Sequence, residues 1–187
     1  MLILPVGNRN MTKSEIRGRI REIKASYGAG RLLEMSRGPV SELMEYIGSF
    51  ERKGLVMLLY NSLPDEVDTG ELIRSLLEEG HKVLLPTVVG DELELHEFSE
   101  GTSLHSGFRG IGESDGALFT DYSSIDLAVV PGVAFTRDGC RLGRGRGFYD
   151  RFLPLLECPV VGLAFPFQIL ESLPCEEHDI KINRVIG

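Results

Sequence analysis

Apolar side chains recur at helical spacing in three stretches of the chain, and each stretch begins at a residue that favours a helix start. The first follows a capping box, in which the side chains of Thr12 and Glu15 satisfy free backbone N–H groups. A second helix is predicted to begin at Pro39, and a third at Thr69 with Gly80 ending it. The residues expected to face the core are Ile16, Ile20 and Ile23, then Leu43, Met44, Ile47 and Phe50, then Leu72, Ile73, Leu76 and Leu77.

Short continuous apolar runs alternate with these helices, as in strands that are buried on both faces of a parallel sheet. The runs are 55–60, 83–85, 125–130 and 160–164, and Pro86 is predicted to stop the second of them. Residues 93–97 alternate as a half-exposed strand, and the polar, glycine-rich residues 99–124 are predicted to form loops. The pattern predicts an α/β fold with a single domain, in which helices flank a mainly parallel sheet in a Rossmann-like three-layer arrangement.

Composition narrows the class of protein. The chain has 187 residues, enough for one core, and its net charge of −8 gives no general attraction to nucleic acid or to an anionic membrane. The three cysteines are widely spaced and odd in number, which favours free thiols in a reducing cytoplasm. We expect a cytoplasmic monomer, with residues 1–11 as a flexible leader and residues 12–187 as the domain.

Residues 143–147 carry the strongest chemical signal, because three glycines alternate there with Arg144 and Arg146. Glycine lets the backbone approach a ligand closely, and successive exposed N–H groups form a concavity that binds anions. Arginine adds a planar fork that suits phosphate or carboxylate oxygens. A solvated, flexible turn is the alternative interpretation. The neighbouring charged residues Arg141, Asp150 and Arg151 favour a binding loop.

Other charged residues are weaker candidates. Lys13 and Arg17 share one helix face, where they either reach for an anion or form a solvated basic surface. The segment 61–69 follows the carboxyl end of a predicted strand, the edge at which open α/β sheets bind ligands. Glu66 or Asp68 could hold a polar ligand group there, although Asp68 or Thr69 could equally cap the next helix.

Residues 131–153, which read PGVAFTRDGCRLGRGRGFYDRFL, closely resemble the signature of the 5-formyltetrahydrofolate cyclo-ligase family, also called 5,10-methenyltetrahydrofolate synthetases. Further similarity to this family extends over residues 12–187. It lies in the pair Lys13 and Arg17, in 62–69, in 84–86, and in 161–165 followed by Gln168, His178 and Asp179.

The resemblance implies that ATP drives the cyclisation of 5-formyltetrahydrofolate to 5,10-methenyltetrahydrofolate, with ADP and phosphate as the other products. In the mechanism that the resemblance implies, the formyl oxygen attacks the γ-phosphate, and N10 then displaces phosphate from the resulting imidate phosphate. Such a reaction needs positioning and charge neutralisation more than a protein nucleophile. The partners implied are therefore ATP and a folate, with Mg²⁺ as cofactor.

The resemblance also implies roles for individual residues. Arg144 and Arg146 are the catalytic candidates. The ATP-binding candidates are Lys13, Arg17, Arg141, Leu142, Gly143, Arg144, Gly145, Arg146, Gly147, Phe148 and Tyr149. The substrate-binding candidates are Asn61, Glu66, Arg144, Gly145, Arg146, Gly147 and Phe148, and the candidate Mg²⁺ ligands are Asp150 and Asp179.

The chain departs from the family pattern at three positions, and two other functions compete with the one implied. Phe148 replaces the usual tyrosine, Thr136 replaces an aspartate, and Arg146 stands where lysine or a small residue is common.

A related α/β enzyme that acts on sugar phosphates or acyl-CoA is one alternative function. An RNA-binding module is the other, because Arg-Gly repeats can follow single strands, but the acidic composition counts against it.

Overall fold

The first helix, α1, spans Lys13–Gly48 and begins at the predicted capping box. The computed structural model describes residues 11–99, 104–106, 112–114, 116–176 and 180–187, so the leader expected at 1–11 lies outside it except for Met11. Thr12 Oγ1 accepts a hydrogen bond from the backbone N–H of Glu15, whose carboxylate accepts one from the N–H of Thr12. The sequence therefore predicted this start correctly.

The prediction that Pro39 begins a second helix is wrong, because Pro39 lies inside α1. The break comes earlier, at Gly28, where φ of 72° and ψ of 160° kink the helix into two segments. Glycine adopts a positive φ without the steric cost of a Cβ atom, so the direction of α1 changes there. Inside the second segment, Ser36 Oγ donates to the carbonyl of Leu32, and the ring of Pro39 is buried against the core.

Seven strands form the main sheet, in the order β12-β10-β7-β1-β2-β3-β6. Its strands are β1 (Val56–Leu58), β2 (Lys82–Val89), β3 (Glu92–Phe98), β6 (Leu118–Phe119), β7 (Leu127–Val130), β10 (Val160–Leu163) and β12 (Arg184–Ile186). The pairs from β12 to β2 are parallel, whereas β2–β3 and β3–β6 are antiparallel. The mainly parallel sheet predicted from the buried apolar runs is confirmed.

Two details of the strand prediction are wrong. Pro86 does not stop β2, which continues to Val89. Pairing of β2 with β1 ends at Leu84, so Pro86 lies where β2 pairs with β3 alone, and proline is tolerated at such edges. Residues 99–124 also hold more structure than predicted, namely β4 (Leu104–Ser106), β5 (Gly112–Ser114), β6 and a 3₁₀ turn at Tyr122–Ser124. Strands this short carry too few residues for an alternating pattern to be read.

Helices cover both faces of the sheet. On one face, α2 (Gly70–Glu78) and the second segment of α1 pack against buried side chains of β1, β7 and β10. On the other face, α3 (Phe148–Phe152) and the 3₁₀ turn Leu153–Leu155 place Phe152 and Leu153 against Leu58, Ala128 and Val130. The result is the three-layer, single-domain α/β fold that the sequence predicted. No helix in the described part of the chain is both long enough and apolar enough to cross a bilayer.

A second sheet of three strands lies beside the first segment of α1. It consists of β8 (Ala134–Thr136), β9 (Arg141–Leu142) and β11 (Ile169–Leu170), in the order β11-β8-β9. Ile16 and Ile20 of α1 pack on Ala134 and Leu142 of this sheet. The β8–β9 hairpin stands between β7 and residues 143–147 in the chain, and it presents these residues at its end.

The expectation of three free cysteines is also wrong. A disulfide joins Cys140, which directly precedes β9, to Cys175, with 6.4 Å between their Cα atoms, while Cys158 stays free. The two partners are 35 residues apart in sequence and meet because β8 and β11 are neighbours in the small sheet. Cysteine number and spacing carry no information about such a contact.

Candidate functional site

A pocket opens at the carboxyl ends of β1 and β7, where the order of strands reverses. From β1 the chain crosses to β2 on one side, and it later returns to β7 on the other side of β1. Open α/β sheets bind ligands at such a switch point. The pocket is lined by apolar or aromatic groups, by arginines and by polar groups: Tyr60, Asn61, Leu63, Glu66, Pro86, Val88, Leu93, Pro131, Gly132, Arg141, Gly143, Arg144, Arg146, Gly147, Phe148, Tyr149 and Asp150.

The first wall of the pocket is the β1–α2 loop, residues 61–69, and its own hydrogen bonds hold it in place. Asp68 Oδ1 accepts from the backbone N–H of Gly70 at 2.8 Å and thereby caps α2, one of the two roles left open for it. Thr69 does not provide the cap, since its hydroxyl donates to the carbonyl of Tyr60 at 2.6 Å. The hydroxyl of Tyr60 donates in turn to the carbonyl of Val67 at 3.0 Å. These hydrogen bonds brace the loop from within.

Glu66 stands in this loop with its side chain only 9% exposed. One carboxylate oxygen accepts from the backbone N–H of Leu63 at 3.0 Å, and the other faces Arg144. Burial and the nearby charge of Glu66 raise the pKa of Tyr149 above its ordinary value, although Arg141 acts in the opposite direction. Burial first and Glu66 second likewise raise the pKa of Tyr60. Both phenols therefore stay protonated, and the hydroxyl of Tyr60 is already donated to the carbonyl of Val67.

The second wall is the glycine loop, residues 143–147, between β9 and α3. Gly145 and Gly147 have φ of 101° and 71°, a backbone region that other residues enter only with strain. The α1 side chain of Arg17 donates from Nε to the carbonyl of Gly143 at 2.9 Å. A Cβ atom added at Gly145 would lie 3.6 Å from the guanidinium carbon of Arg17. Arg17 therefore lies against the glycine loop. This contact favours a role for Arg17 at the loop over a basic helix face that is only solvated.

Arg144 bridges the two walls. Its Nη2 group lies 2.7 Å from Asp65 Oδ1 and 2.9 Å from Glu66 Oε1, and its Nε group lies 3.2 Å from the same Glu66 oxygen. The side chain is 40% exposed, so it remains accessible from the pocket. Burial would lower the pKa of Arg144, but Glu66 and Asp65 outweigh it and raise the value. Arg144 is thus a permanent cation held between two carboxylates.

Arg141 is the buried counterpart of Arg144, with a side chain only 3% exposed. It donates to the carbonyl of Pro131 at 3.2 Å and to Asp150 Oδ1 at 2.7 Å, and it lies over the ring of Tyr149. Its Nε atom is buried, and within the described part of the chain it has no hydrogen-bond partner. Arg141 therefore fixes the pocket wall around Asp150 and leaves one donor free.

Phe148 has two guanidinium groups near its ring, those of Arg146 at 5.8 Å and Arg151 at 5.6 Å from the ring centre. Arg151 also donates to the carbonyl of Arg146 at 3.2 Å, so it supports the end of the loop. Phenylalanine preserves this stacking without the hydroxyl that the family pattern would place here. A second departure, Thr136, accepts from the N–H of Cys140 at 3.1 Å and closes the β8–β9 turn.

Some candidates stand apart from the pocket. Lys13 lies 3.5 Å from Glu176, on the segment that follows the disulfide at Cys175. Leu142 is buried against Ile16 and Ile20, so its side chain serves packing. Asp179 lies outside the described residues. The fit to Mg²⁺ therefore rests on Asp150, whose carboxylate has one oxygen on Arg141 and is 43% exposed at the pocket wall.

A carboxylate of this kind suits Mg²⁺, which is commonly bound by one or two carboxylates together with substrate phosphates. Among the residues that the structure describes, no group of three or more histidine, cysteine, aspartate or glutamate side chains could hold a metal ion. Asp150 with the phosphates of a bound nucleotide fits the preference of Mg²⁺ better than a complete protein cage does.

Lys24 and Asp65 connect to the pocket through Arg144, although the sequence pattern predicted a role for neither. Lys24 follows Ile16 and Ile20 on the same stripe of α1 and is only 6% exposed, and its Nζ atom lies 3.3 Å from Asp65 Oδ2. Burial lowers the pKa of Lys24, against the opposing effect of Asp65. Burial would raise the pKa of Asp65, but Lys24 and Arg144 lower it overall. A lysine at a position that the helical period assigns to the core was the available signal.

Fold and pocket together define an α/β protein whose candidate ligand pocket lies at the switch point of its sheet, between a glycine-arginine loop and a carboxylate-bearing loop. Comparison with known proteins then gives the particular family. The model of the 5-formyltetrahydrofolate cyclo-ligase family matches residues 9–187, and the chain belongs to that family. It is accordingly an enzyme of the ligase class, and the resemblance noted in the sequence is confirmed.

Individual relatives carry the name of the same family. The chain is 32% identical over 145 residues to a mouse 5-formyltetrahydrofolate cyclo-ligase, covering 68% of this chain and 70% of the relative. It is 30% identical over 182 residues to the protein of that name from Escherichia coli, covering 89% and 95%. A solved Aquifex aeolicus 5,10-methenyltetrahydrofolate synthetase is 32% identical, superposes with a TM-score of 0.80 and is matched over 94% of this chain and 89% of that one.

Proposed function

We propose that this enzyme converts 5-formyltetrahydrofolate and ATP into 5,10-methenyltetrahydrofolate, ADP and phosphate. Family membership supports the ligase class. The observation that carries the proposal is the pocket itself, where an apolar and aromatic wall meets a glycine loop that bears Arg144 and Arg146. A flat folate ring system and a polyphosphate require these two environments side by side.

The apolar wall suits the folate. Leu63, Val88 and Leu93 provide aliphatic surface, and Phe148 and Tyr149 provide aromatic rings. Planar heterocycles gain both buried area and ring contacts on such a surface. Glu66 and Asn61 offer hydrogen-bond partners at the rim of the same wall, where the polar edge of a pterin needs them.

The cationic wall suits ATP. Arg144 and Arg146 line the pocket, and Arg17 lies against the backbone of the loop. We assign Lys13 and Arg17 to phosphate groups that stay on ADP, and the loop arginines to the phosphoryl group that moves. Arginine forks pair well with the oxygens of a phosphoryl group, and preorganised cations stabilise charge that develops during transfer.

The reaction then proceeds in two displacements. The formyl oxygen attacks the γ-phosphorus, the bond from phosphorus to the ADP oxygen breaks, and the electron pair leaves on ADP. N10 next attacks the formyl carbon of the imidate phosphate, its proton is lost, and inorganic phosphate departs as the ring closes. We place the formyl oxygen and the γ-phosphorus beside the Arg144–Glu66 pair, because that pair joins the β1–α2 loop to the glycine loop.

Mg²⁺ fits this proposal as a partner of the nucleotide. When bound, the ion would neutralise phosphate charge, with Asp150 as one carboxylate ligand and Asp179 as the second that the family pattern implies. Arg141 holds the Asp150 carboxylate at the pocket wall, so that ligand is already oriented.

The experiment mixes the purified protein with Mg-ATP and 5-formyltetrahydrofolate and records the absorbance of the methenyl product. We expect product that depends on both substrates, with ADP and phosphate released in equal amount. Thermal shift with ribose phosphate, acyl-CoA and an RNA oligomer serves as the comparison. The proposal would be overturned if folded protein gave no methenyl product. It would also be overturned if ribose phosphate, acyl-CoA or the RNA oligomer raised the melting temperature while Mg-ATP and 5-formyltetrahydrofolate did not.

Size-exclusion chromatography tests the further expectation of a monomer.

A further inference from the structure

We infer that Lys24 is a positioning residue, whose buried ammonium group fixes Asp65 and thereby fixes Arg144 over the pocket. The inference rests on the proposed function, because Arg144 is assigned there to the transferred phosphoryl group. It concerns a side chain that does not line the pocket.

The contacts form one chain of alternating charge across three elements. Lys24 Nζ of α1 lies 3.3 Å from Asp65 Oδ2, and Asp65 Oδ1 lies 2.7 Å from Arg144 Nη2. Asp65 therefore uses a different oxygen for each cation. Arg144 also reaches Glu66, which is fixed by the backbone N–H of Leu63.

The burial of Lys24 is costly, and packing alone does not explain it. Removing an ammonium group from water carries a penalty that an ion pair repays only in part, so an apolar residue of similar size is commonly as stable or more stable at such a position. Lys24 is 6% exposed, whereas its partner Asp65 is 44% exposed. The exposed carboxylate gains little stability from the pair, but it gains a fixed direction.

The fixed direction matters because Arg144 must change partners. Two carboxylates hold the guanidinium, and an incoming phosphoryl group competes with both. If Lys24 anchors Asp65, Arg144 keeps its contact with Asp65 and therefore its position, while its other N–H groups turn to the ligand. Without Lys24, Asp65 and Arg144 can move together, and one uncompensated negative charge is left beside a site for anions.

The test compares Lys24→Met, which keeps length and removes charge, with Lys24→Arg, which restores charge. Lys82→Met is the matched control, because Lys82 pairs with Glu97 at 2.7 Å at the start of β2, away from the pocket edge. We expect Lys24→Met to keep or raise the melting temperature and to lower kcat for methenyl formation about tenfold or more, in line with a displaced charged hydrogen bond. Lys24→Arg should recover most of the loss, and Lys82→Met should match the wild type.

A second readout does not depend on the reaction. Hydrogen exchange of the amides in 143–147, measured without ligand, should speed up in Lys24→Met and not in Lys82→Met. The double variant Lys24→Met with Asp65→Asn should be no worse than Asp65→Asn alone, because both changes cut one chain of contacts. If wild-type protein makes no methenyl product, the proposed function fails while exchange still decides the role of Lys24. Unchanged exchange in Lys24→Met, or kinetic losses that multiply in the double variant, would overturn the inference.

Discussion

The two loops that form the pocket are held in opposite ways. The β1–α2 loop is braced mainly by itself, through bonds such as Asp68 to Gly70 and Tyr60 to Val67 that join near neighbours in sequence. The glycine loop is positioned mainly by distant residues, since Arg17 is 126 positions from Gly143 and Asp65 is 79 positions from Arg144. One loop therefore belongs to the local fold, whereas the position of the other depends on the assembled tertiary structure.

This difference indicates which loop contributes mainly to stability and which contributes mainly to activity. A loop held by its own short-range bonds contributes to folding when those bonds form, so damage to it should appear first in stability. A loop held by exposed or half-exposed ion pairs contributes little to stability. Damage to the glycine loop should therefore appear first in activity.

Loss of Arg144 should have the largest effect. We expect Arg144→Ala, and similarly Arg146→Ala, to lower kcat about 10²–10³-fold with a smaller rise in KM for ATP, because a preorganised donor toward transferring charge is lost. The melting temperature should stay near that of the wild type, since Arg144 is 40% exposed.

Steady-state kinetics and melting curves check this result. The control is Arg74→Ala, an arginine on α2 that is 69% exposed and pairs with Glu71 at 4.0 Å. Wild-type kcat in both loop variants would mean that 143–147 is a solvated turn. The conclusion that the glycine loop serves activity would then be wrong.

Removal of Lys13 should act on nucleotide binding rather than on the chemical step. If Lys13 grips phosphates that do not move, Lys13→Ala should raise KM for ATP about tenfold and leave kcat nearly unchanged, as loss of a charged hydrogen bond predicts. Glu176→Gln separates this role from the ion pair at 3.5 Å and should leave KM near the wild-type value. A fall in kcat with constant KM would move Lys13 into the group that contacts the transferred phosphoryl.

Substitution of the candidate Mg²⁺ ligands should change the metal requirement. We expect Asp150→Asn and Asp179→Asn each to raise the Mg²⁺ concentration for half-maximal rate several-fold, because each change removes an anionic oxygen from a hard cation. Titration of the rate with Mg²⁺ at saturating ATP measures the shift. Asp138→Asn, at an exposed pair with Lys181, provides the control. An unchanged requirement would remove the residue concerned from the metal site.

Loss of the cap in the β1–α2 loop should give the smallest effect, and the effect should fall on stability. Asp68→Ala removes the acceptor for the N–H of Gly70 and should cost about 1 kcal/mol in the free energy of unfolding, a typical value for a lost cap. Asp68→Asn retains an acceptor and should cost less. Urea unfolding measures both. A large loss of kcat in Asp68→Ala without loss of stability would instead place Asp68 on the folate.

The same contrast explains how far the sequence could be interpreted. Apolar periodicity predicted the parallel sheet, and local signals predicted the capping box at Thr12 and the helix end at Gly80, because these features depend on near neighbours. The kink at Gly28 was not predicted, because an isolated glycine within a helical pattern is compatible with a continuous helix. The Cys140–Cys175 disulfide was missed because the pairing of β8 with β11 creates it.

The composition of the site was visible in the sequence, but its contacts were not. The alternation of glycine and arginine indicated 143–147 with its charged neighbour Asp150, and the position after a predicted strand indicated Glu66. The family resemblance then implied a role for each of them. Nothing local shows that Arg144 would face Asp65 and Glu66, or that Lys24 would anchor Asp65. Those contacts join three elements that meet only in the folded protein.

The most direct test of the account follows the formyl oxygen. If the pocket brings this oxygen to the γ-phosphorus, 5-formyltetrahydrofolate labelled with ¹⁸O in the formyl group should yield phosphate that carries one ¹⁸O atom per methenyl product. Mass spectrometry of the released phosphate in unlabelled water measures this directly, with unlabelled substrate as the reference. Phosphate free of the label, with the ¹⁸O recovered in water, would contradict phosphorylation of the formyl oxygen.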